Sequence, residues 1–106
     1  MIYIESIEFR KAIKQLRKKY PSIGQDLADL LKKLQENPVL GSPLGEDCYK
    51  IRMAITSKGR GKSGGARVIT CVKIVDDTIH LLTIYDKSEI DNISDAYLEE
   101  LRKLAE

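Results

Sequence analysis

Two basic residues spaced two positions apart, Lys50 and Arg52, are the first candidates for chemistry in this sequence. On a β-strand both side chains leave the same face of the sheet, where two cations can grip one phosphodiester. Ordinary alternation on a solvated antiparallel sheet produces the same spacing, and the spacing alone favours this second interpretation. Arg67 joins this face if the register of the following strand allows it.

A second candidate pair, Tyr85 and Lys87, closes a later apolar segment and is predicted to share a face with Thr83 and Leu81. A tyrosine near cations at a strand end can stack on a base or take part in acid–base chemistry. The same residue is more often a half-buried packing residue. The single histidine, His80, is interpreted as structural, because nothing in the sequence marks a carboxylate beside it.

The basic residues are concentrated in one part of the chain. Residues 48–75 contain seven Lys and Arg residues and no acidic residue, whereas residues 76–106 contain three basic and nine acidic residues. Such a block is typical of a surface that contacts polyphosphate, and equally of a solvated basic hairpin. The block gives four further candidates for contact with a nucleic-acid backbone: Lys58, Arg60, Lys62 and Lys73.

Length and composition indicate a single domain over residues 1–106. Hydrophobic residues make up 42% and charged residues 32%, which argues against a disordered or a membrane-spanning chain. The N-terminus lacks a basic segment followed by an apolar one, so we expect a cytoplasmic protein. Two cysteines and one histidine predict neither a disulfide framework nor a metal site.

The elements that position the candidates begin with a strand at residues 2–4 and a helical hairpin at 6–36. Ser6 is predicted to cap the first helix, Pro21 to end it, and Ser22 with Gln25 to form a capping box on the second. A last helix starts at Ser94. The apolar faces of the three helices are predicted to be Phe9, Ile13 and Leu16, then Ile23, Leu27, Leu30, Leu31 and Leu34, then Tyr97, Leu98, Leu101 and Leu104.

Between the helices the apolar period changes to two. Residues 38–45 are predicted to be a loop, followed by strands at 48–55, 66–75 and 78–86 with a two-residue turn at Asp76-Asp77. Residues 56–65 hold four glycines and are predicted to be an irregular loop, either a mobile basic arm or a flexible hairpin loop. The sequence therefore predicts an α+β fold: an N-terminal strand, a two-helix hairpin, an antiparallel three-strand meander and a C-terminal helix, with the helices on one face.

Four segments of the chain resemble a known family. They are Asp-Cys-Tyr-Lys-Ile-Arg at 47–52, Lys-Ser-Gly-Gly-Ala-Arg-Val-Ile at 62–69, Leu-Leu-Thr-Ile-Tyr-Asp-Lys-Ser-Glu at 81–89, and Asn-Ile-Ser at 92–94. With the order of elements, they resemble the RelE/ParE superfamily of type II toxin–antitoxin toxins, especially its RelE- and HigB-like branch.

The resemblance implies a metal-independent endoribonuclease without a cofactor, which cuts mRNA in the ribosomal A site by attack of a ribose 2′-hydroxyl on the adjacent phosphate. By position, Lys50 and Arg52 match the family's paired basic residues, and Arg67 matches its next arginine. Tyr85 or Lys87 matches the residues near the end of the following strand. The resemblance leaves open which residue is the general base and which the acid.

The same resemblance implies partners and an alternative. The implied partners are mRNA, the ribosome and a cognate antitoxin with a helix-turn-helix domain, and no membrane is implied. ParE-like members share the fold yet inhibit DNA gyrase without cutting RNA, so a gyrase inhibitor is the alternative function.

Overall fold

The computed structural model describes residues 1–59, 61, 63–90 and 92–105. These residues form five strands, three α-helices and one 3₁₀ helix. Their bounds are β1 Ile2–Glu5, α1 Ile7–Lys19, α2 Ile23–Glu36, β2 Ser42–Gly45, β3 Cys48–Met53, the 3₁₀ helix Thr56–Lys58, β4 Ala66–Lys73, β5 Thr78–Asp86 and α3 Asp95–Leu104.

The five strands form one sheet in the order β1-β5-β4-β3-β2. β1 runs parallel to β5, and the other neighbouring strands pair antiparallel. Parallel pairing of the first and last strands requires a crossover, which the helical hairpin between β1 and β2 supplies. The predicted α+β class is confirmed.

The helical hairpin forms as its apolar spacing predicts. Ser6 caps α1 by accepting a hydrogen bond from the backbone N–H of Phe9. The predicted capping box at the start of α2 is absent, since the Ser22 side chain makes no cap hydrogen bond. Its Oγ donates instead to Asp26 and accepts the backbone N–H of Ser57, so a tertiary contact replaces the local one.

Two apolar clusters lie on opposite faces of the sheet. The first core joins α1 and α2 to residues such as Ile51, Val68 and Ile84. The second core joins α3, through Leu101, to Ile69 and other residues of the opposite face. The expectation that all helices cover one face is therefore wrong. β4 is buried from Ala66 to Val72 on both faces, and such a strand needs cover on both sides.

Residues 42–45, predicted to be loop, form the edge strand β2. Ser42 pairs with Lys50, and Leu44 packs against the second core. Proline and glycine at this position argue against a strand on propensity, but an edge strand tolerates both. Gly41 precedes it with φ of 108°, where a Cβ would lie 2.6 Å from the carbonyl oxygen of Lys50. The β4–β5 turn likewise differs from prediction, because it spans four residues, 74–77, rather than two.

Candidate functional site

Three predicted site residues lie in one row across the three inner strands. Arg52 of β3 pairs with Arg67 of β4, which pairs in turn with Tyr85 of β5. Directly opposite residues of antiparallel strands share a face, so all three lie on the face covered by α3. Lys50, two residues before Arg52, is on that face as well. The register therefore gives the three cations the shared face that the sequence predicted.

A β-bulge in β5 determines the direction of Tyr85. Ile69 pairs with Thr83, but the next residue, Thr70, pairs with Leu81. Leu82 of β5 therefore has no residue opposite it on β4. Leu81 consequently packs in the first core, while Tyr85 packs in the second. The expectation that Leu81 and Tyr85 share a face is wrong, because strict alternation does not survive a bulge.

Four cations line one concave surface, which we call the basic cleft: Lys50, Arg52, Arg67 and Lys87. The cleft has a volume of about 200 Å³. Ser42, Leu44 and Asn92 complete its described lining, which contains no acidic residue. Cations gathered on one concave surface attract a polyanion.

Each cation of the cleft is held differently. Arg67 is only 3% exposed, and its guanidinium donates to the backbone carbonyls of Ala66, at 3.0 Å, and Ser63, at 3.3 Å. Lys50 Nζ donates to Asn92 Oδ1 at 3.0 Å, and Arg52 is exposed. These contacts orient the side chains of Arg67 and Lys50 within the cleft.

The backbone of Lys87 is tied to the end of the glycine-rich loop. Its N–H donates to the carbonyl of Gly65 at 3.1 Å. Gly65 itself must be glycine, since a Cβ there would lie 2.2 Å from the carbonyl oxygen of Met53. The loop 56–65, predicted to be irregular throughout, thus has a closely packed end, and it also begins in the short 3₁₀ helix.

Tyr85 lies beside the basic cleft rather than in it. The residue is 5% exposed and lines a neighbouring cavity of about 280 Å³ between α1 and α3, which Ile90 and Tyr97 also line. The row of paired residues therefore connects two cavities, one basic and one mainly apolar.

Two of the four further candidates from the basic block, Lys58 and Lys73, do not line the cleft. Lys73 lies six residues from Arg67 on the same strand, which corresponds to about 20 Å. Lys58 lies on the face of the helical hairpin, where its ammonium contacts the carboxylate of Asp86. Arg60 and Lys62 are outside the residues that the structure describes.

Comparison with known proteins identifies this chain. Residues 8–106 match the family described as the RelE toxin of the RelE/RelB toxin–antitoxin system. The chain belongs to this family. Membership of the RelE family implies a cognate antitoxin of the RelB type. The resemblance to RelE toxins that the sequence motifs indicated is thereby confirmed.

Two solved structures of the E. coli toxin RelE share the fold. A mutant with two arginines replaced by alanine, in the free state, is 19% identical with a TM-score of 0.63, and the match covers 96% of this chain and 95% of that one. The isolated toxin is 20% identical with a TM-score of 0.59, covering 97% of both chains. At such identities the likeness concerns the fold alone.

Other chemistry-bearing groups of this RelE-family chain lie elsewhere. His80 is half-buried, and burial together with nearby Lys73 lowers its pKa. Cys48 and Cys71 face each other across β3 and β4 as buried thiols. Contact with Cys71 and burial raise the pKa of Cys48 far above its ordinary value, so this thiol stays protonated. None of the described helices is long and apolar enough to cross a membrane.

Three lining residues of the cleft were not among the predicted candidates. Asn92 reaches Lys50 from the segment before α3, although 42 positions separate the two residues. Ser42 and Leu44 lie on β2, the segment for which the sequence predicts a loop. The motif Asn-Ile-Ser was a signal for Asn92, but only the tertiary fold shows what its amide contacts.

Proposed function

We propose that this RelE-family toxin is a ribosome-dependent endoribonuclease that cuts mRNA in the ribosomal A site. The observation that carries the proposal is the basic cleft, with four cations and no acidic residue in its described lining. The transition state of phosphodiester cleavage has more negative charge at phosphorus than the ground state. Fixed cations therefore stabilise the transition state preferentially, which is what catalysis requires.

The proposed reaction uses the RNA itself as nucleophile. The ribose 2′-oxygen forms a bond to phosphorus while the bond to the 5′-oxygen breaks, which leaves a 2′,3′-cyclic phosphate and a 5′-hydroxyl. Arg67 is suited to bind the non-bridging oxygens, since two backbone carbonyls hold its guanidinium in one orientation. Arg52, exposed beside it, adds a second guanidinium to the same phosphate.

Two proton transfers accompany the reaction. The 2′-hydroxyl loses a proton and the departing 5′-oxygen gains one. The ammonium groups of Lys50 and Lys87 are the proton donors that line the cleft, and Tyr85 lies next to it. The pH–rate profiles of single variants at these three positions identify the residue that accepts the proton.

Purified protein incubated with ribosomes programmed with a defined mRNA tests the proposal. We expect cleavage in the A-site codon and a 2′,3′-cyclic phosphate on the upstream fragment, both lost in Arg67→Ala and retained in Lys14→Ala. Lys14 is the control because it is an exposed cation on α1, on the other face of the sheet. Intact mRNA together with loss of DNA supercoiling by gyrase would instead make the protein an inhibitor of the ParE type.

We further propose that the cognate antitoxin has a helix-turn-helix domain and inhibits by placing acidic side chains in the basic cleft. No acidic residue is among the described lining of the cleft, and this supports the proposal, because an inhibitor that supplies acidic side chains gains from charge complementarity. Co-expression of the product of the adjacent gene should restore growth and give a complex that purifies intact. A complex in which the antitoxin leaves the basic cleft, including Arg52, accessible to RNA would contradict the proposed mode of inhibition.

A further inference from the structure

Each residue of the 3₁₀ helix at the start of the glycine-rich loop makes a hydrogen bond to a distant part of the chain. The carboxylate of Asp26 accepts the backbone N–H and the hydroxyl of Thr56. Ser57 donates its N–H to Ser22, and Lys58 donates to Asp86. Three consecutive residues therefore have three partners, which come from α2, from the turn before it and from the end of β5.

The contact between Lys58 and Asp86 is a buried ion pair. Lys58 Nζ lies 2.9 Å from Asp86 Oδ1, and the two side chains are 11% and 0% exposed. Asp86 also accepts the hydroxyl of Tyr20 and both the N–H and the hydroxyl of Ser88. Burial alone would raise the pKa of Asp86, but these hydrogen bonds and Lys58 outweigh it and hold the pKa well below its ordinary value.

Stability alone does not account for this ion pair. A well-packed apolar pair is often as stable as a buried ion pair of similar volume, because desolvation of two charges offsets their attraction. What an ion pair adds is orientation. The carboxylate of Asp86 accepts hydrogen bonds from Lys58, Tyr20 and Ser88, and these contacts hold the backbone of Asp86 in one place.

The residue held in this way is the neighbour of a cleft cation. Asp86 is the last residue of β5 and directly precedes Lys87. On the other side of the same backbone, Lys87 donates its N–H to Gly65. Asp86 faces the first core, opposite Ala66, while the side chain of Lys87 lines the basic cleft. The end of the strand is thus fastened on the face that lies away from the cleft.

We propose that the ion pair of Lys58 and Asp86 is a positioning device, which fixes Lys87 in the basic cleft, and that Lys58 acts through Asp86 rather than on RNA. This inference rests on the proposed ribonuclease function, because it assigns Lys87 a role in the reaction. It changes the interpretation of Lys58, which the charge pattern alone made a candidate for RNA contact.

A double-mutant cycle separates the two roles of Lys58. If Lys58 acts through Asp86, Lys58→Met, Asp86→Asn and the double variant should show the same fall in kcat, of about tenfold to a hundredfold, with little change in KM. In a Lys87→Ala background Asp86→Asn should reduce kcat no further. If Lys58 binds RNA directly, Lys58→Met should raise KM while Asp86→Asn leaves it unchanged, and the inference is then wrong.

Lys19→Met is the matched control, because it breaks an exposed ion pair. The side chains of Lys19 and of its partner Glu89 are each 54% exposed. We expect wild-type activity from this variant. Circular dichroism at the assay temperature establishes that each variant is folded, and Asp86→Ser takes the place of Asp86→Asn in the cycle if the latter does not fold.

Amide hydrogen exchange tests positioning without reference to catalysis. Loss of the pair should speed exchange at the N–H groups of Lys87 and Ser88 at least tenfold, while amides in the middle of β4 stay protected. Unchanged exchange at Lys87 would contradict the inference even if the protein cuts mRNA. A wild-type protein that cuts no mRNA would contradict the proposed function, and the exchange rates would still decide whether Asp86 holds Lys87.

Discussion

A single cation, Lys58, and a group of four cations lie at the same end of the sheet, on opposite faces. On the helical-hairpin face, Lys58 is buried against the carboxylate of Asp86. On the other face, Lys50, Arg52, Arg67 and Lys87 share a cleft whose described lining contains no carboxylate. In the sequence all of these cations except Lys87 belong to the basic block at 48–75, yet in the fold Lys58 contacts a carboxylate whereas the described lining of the cleft contains none.

Burial alone does not separate a structural cation from a functional one. Arg67 is as buried as many core residues, at 3% exposure, yet it lines the basic cleft and donates to the backbone carbonyls of Ala66 and Ser63. Lys58 is also largely buried, but its ammonium contacts the carboxylate of Asp86 on the opposite face. The partner of a buried cation therefore tells more about its role than its exposure does.

The largest expected effect is on stability, at Asp86. Replacing it with Ala leaves the Lys58 ammonium buried without its counter-charge, and removal of one member of such a pair typically costs about 3–5 kcal/mol. Urea unfolding followed by circular dichroism measures the free energy of unfolding. A loss below about 1 kcal/mol, the range of exposed ion pairs, would show that the pair is solvated and would remove the contrast between the two faces.

The next effect is on activity, at Arg67. Replacement of a single fixed donor to the transition state typically lowers kcat by about 10²–10³-fold. We expect this from Arg67→Ala, and a loss nearly as large from Arg67→Lys, since an ammonium cannot make the two hydrogen bonds of the guanidinium fork. Single-turnover cleavage on ribosomes gives the rate, and wild-type rates in both variants would remove Arg67 from the site.

The pH dependence of stability sharpens the comparison further. The pKa of Asp86 is lower in the folded protein than its ordinary value of 3.8, so its contribution is present above that pH and is lost as the pH falls below it. At neutral pH we expect a lower free energy of unfolding for Asp86→Asn than for the wild type. As the pH falls, the free energy of unfolding should decrease less steeply in the variant. Parallel curves of unfolding free energy against pH would contradict an ionised Asp86 in the folded state.

The smallest effect concerns salt. The binding constant K for a single-stranded nucleic acid falls as the salt concentration rises. Each phosphate contact adds about 0.7 to the steepness of log K against log salt concentration. Arg52→Gln, in the exposed part of the cleft, should reduce the slope for RNA binding by about this amount, while Lys58→Gln should leave it unchanged. Equal slopes for the two variants would place Lys58 among the RNA contacts after all.

Much of the architecture follows from local patterns. The spacing of Phe9, Ile13 and Leu16 determines which side of α1 is buried, and period two places Lys50 and Arg52 on one face of β3. Both follow from the geometry of a single element, which needs no knowledge of its neighbours. The family motifs, too, are short stretches that can be recognised without the fold.

Other features required the tertiary structure. The position of α3 on the second face, the bulge that turns Tyr85 away from Leu81, and the edge strand at 42–45 all depend on packing between distant segments. A one-residue change of register reverses every side chain that follows, so pattern alone does not settle the direction of residues beyond a bulge.

Residue spacing is enough to predict a cluster of cations on a β-sheet and the strands that bear them. How those cations divide depends on the fold, because a counter-charge 28 positions away, Asp86, reaches Lys58 and none of the described lining of the cleft is acidic. Electrostatic partnership depends on distance in space and on shielding from water, and neither quantity is a property of sequence spacing.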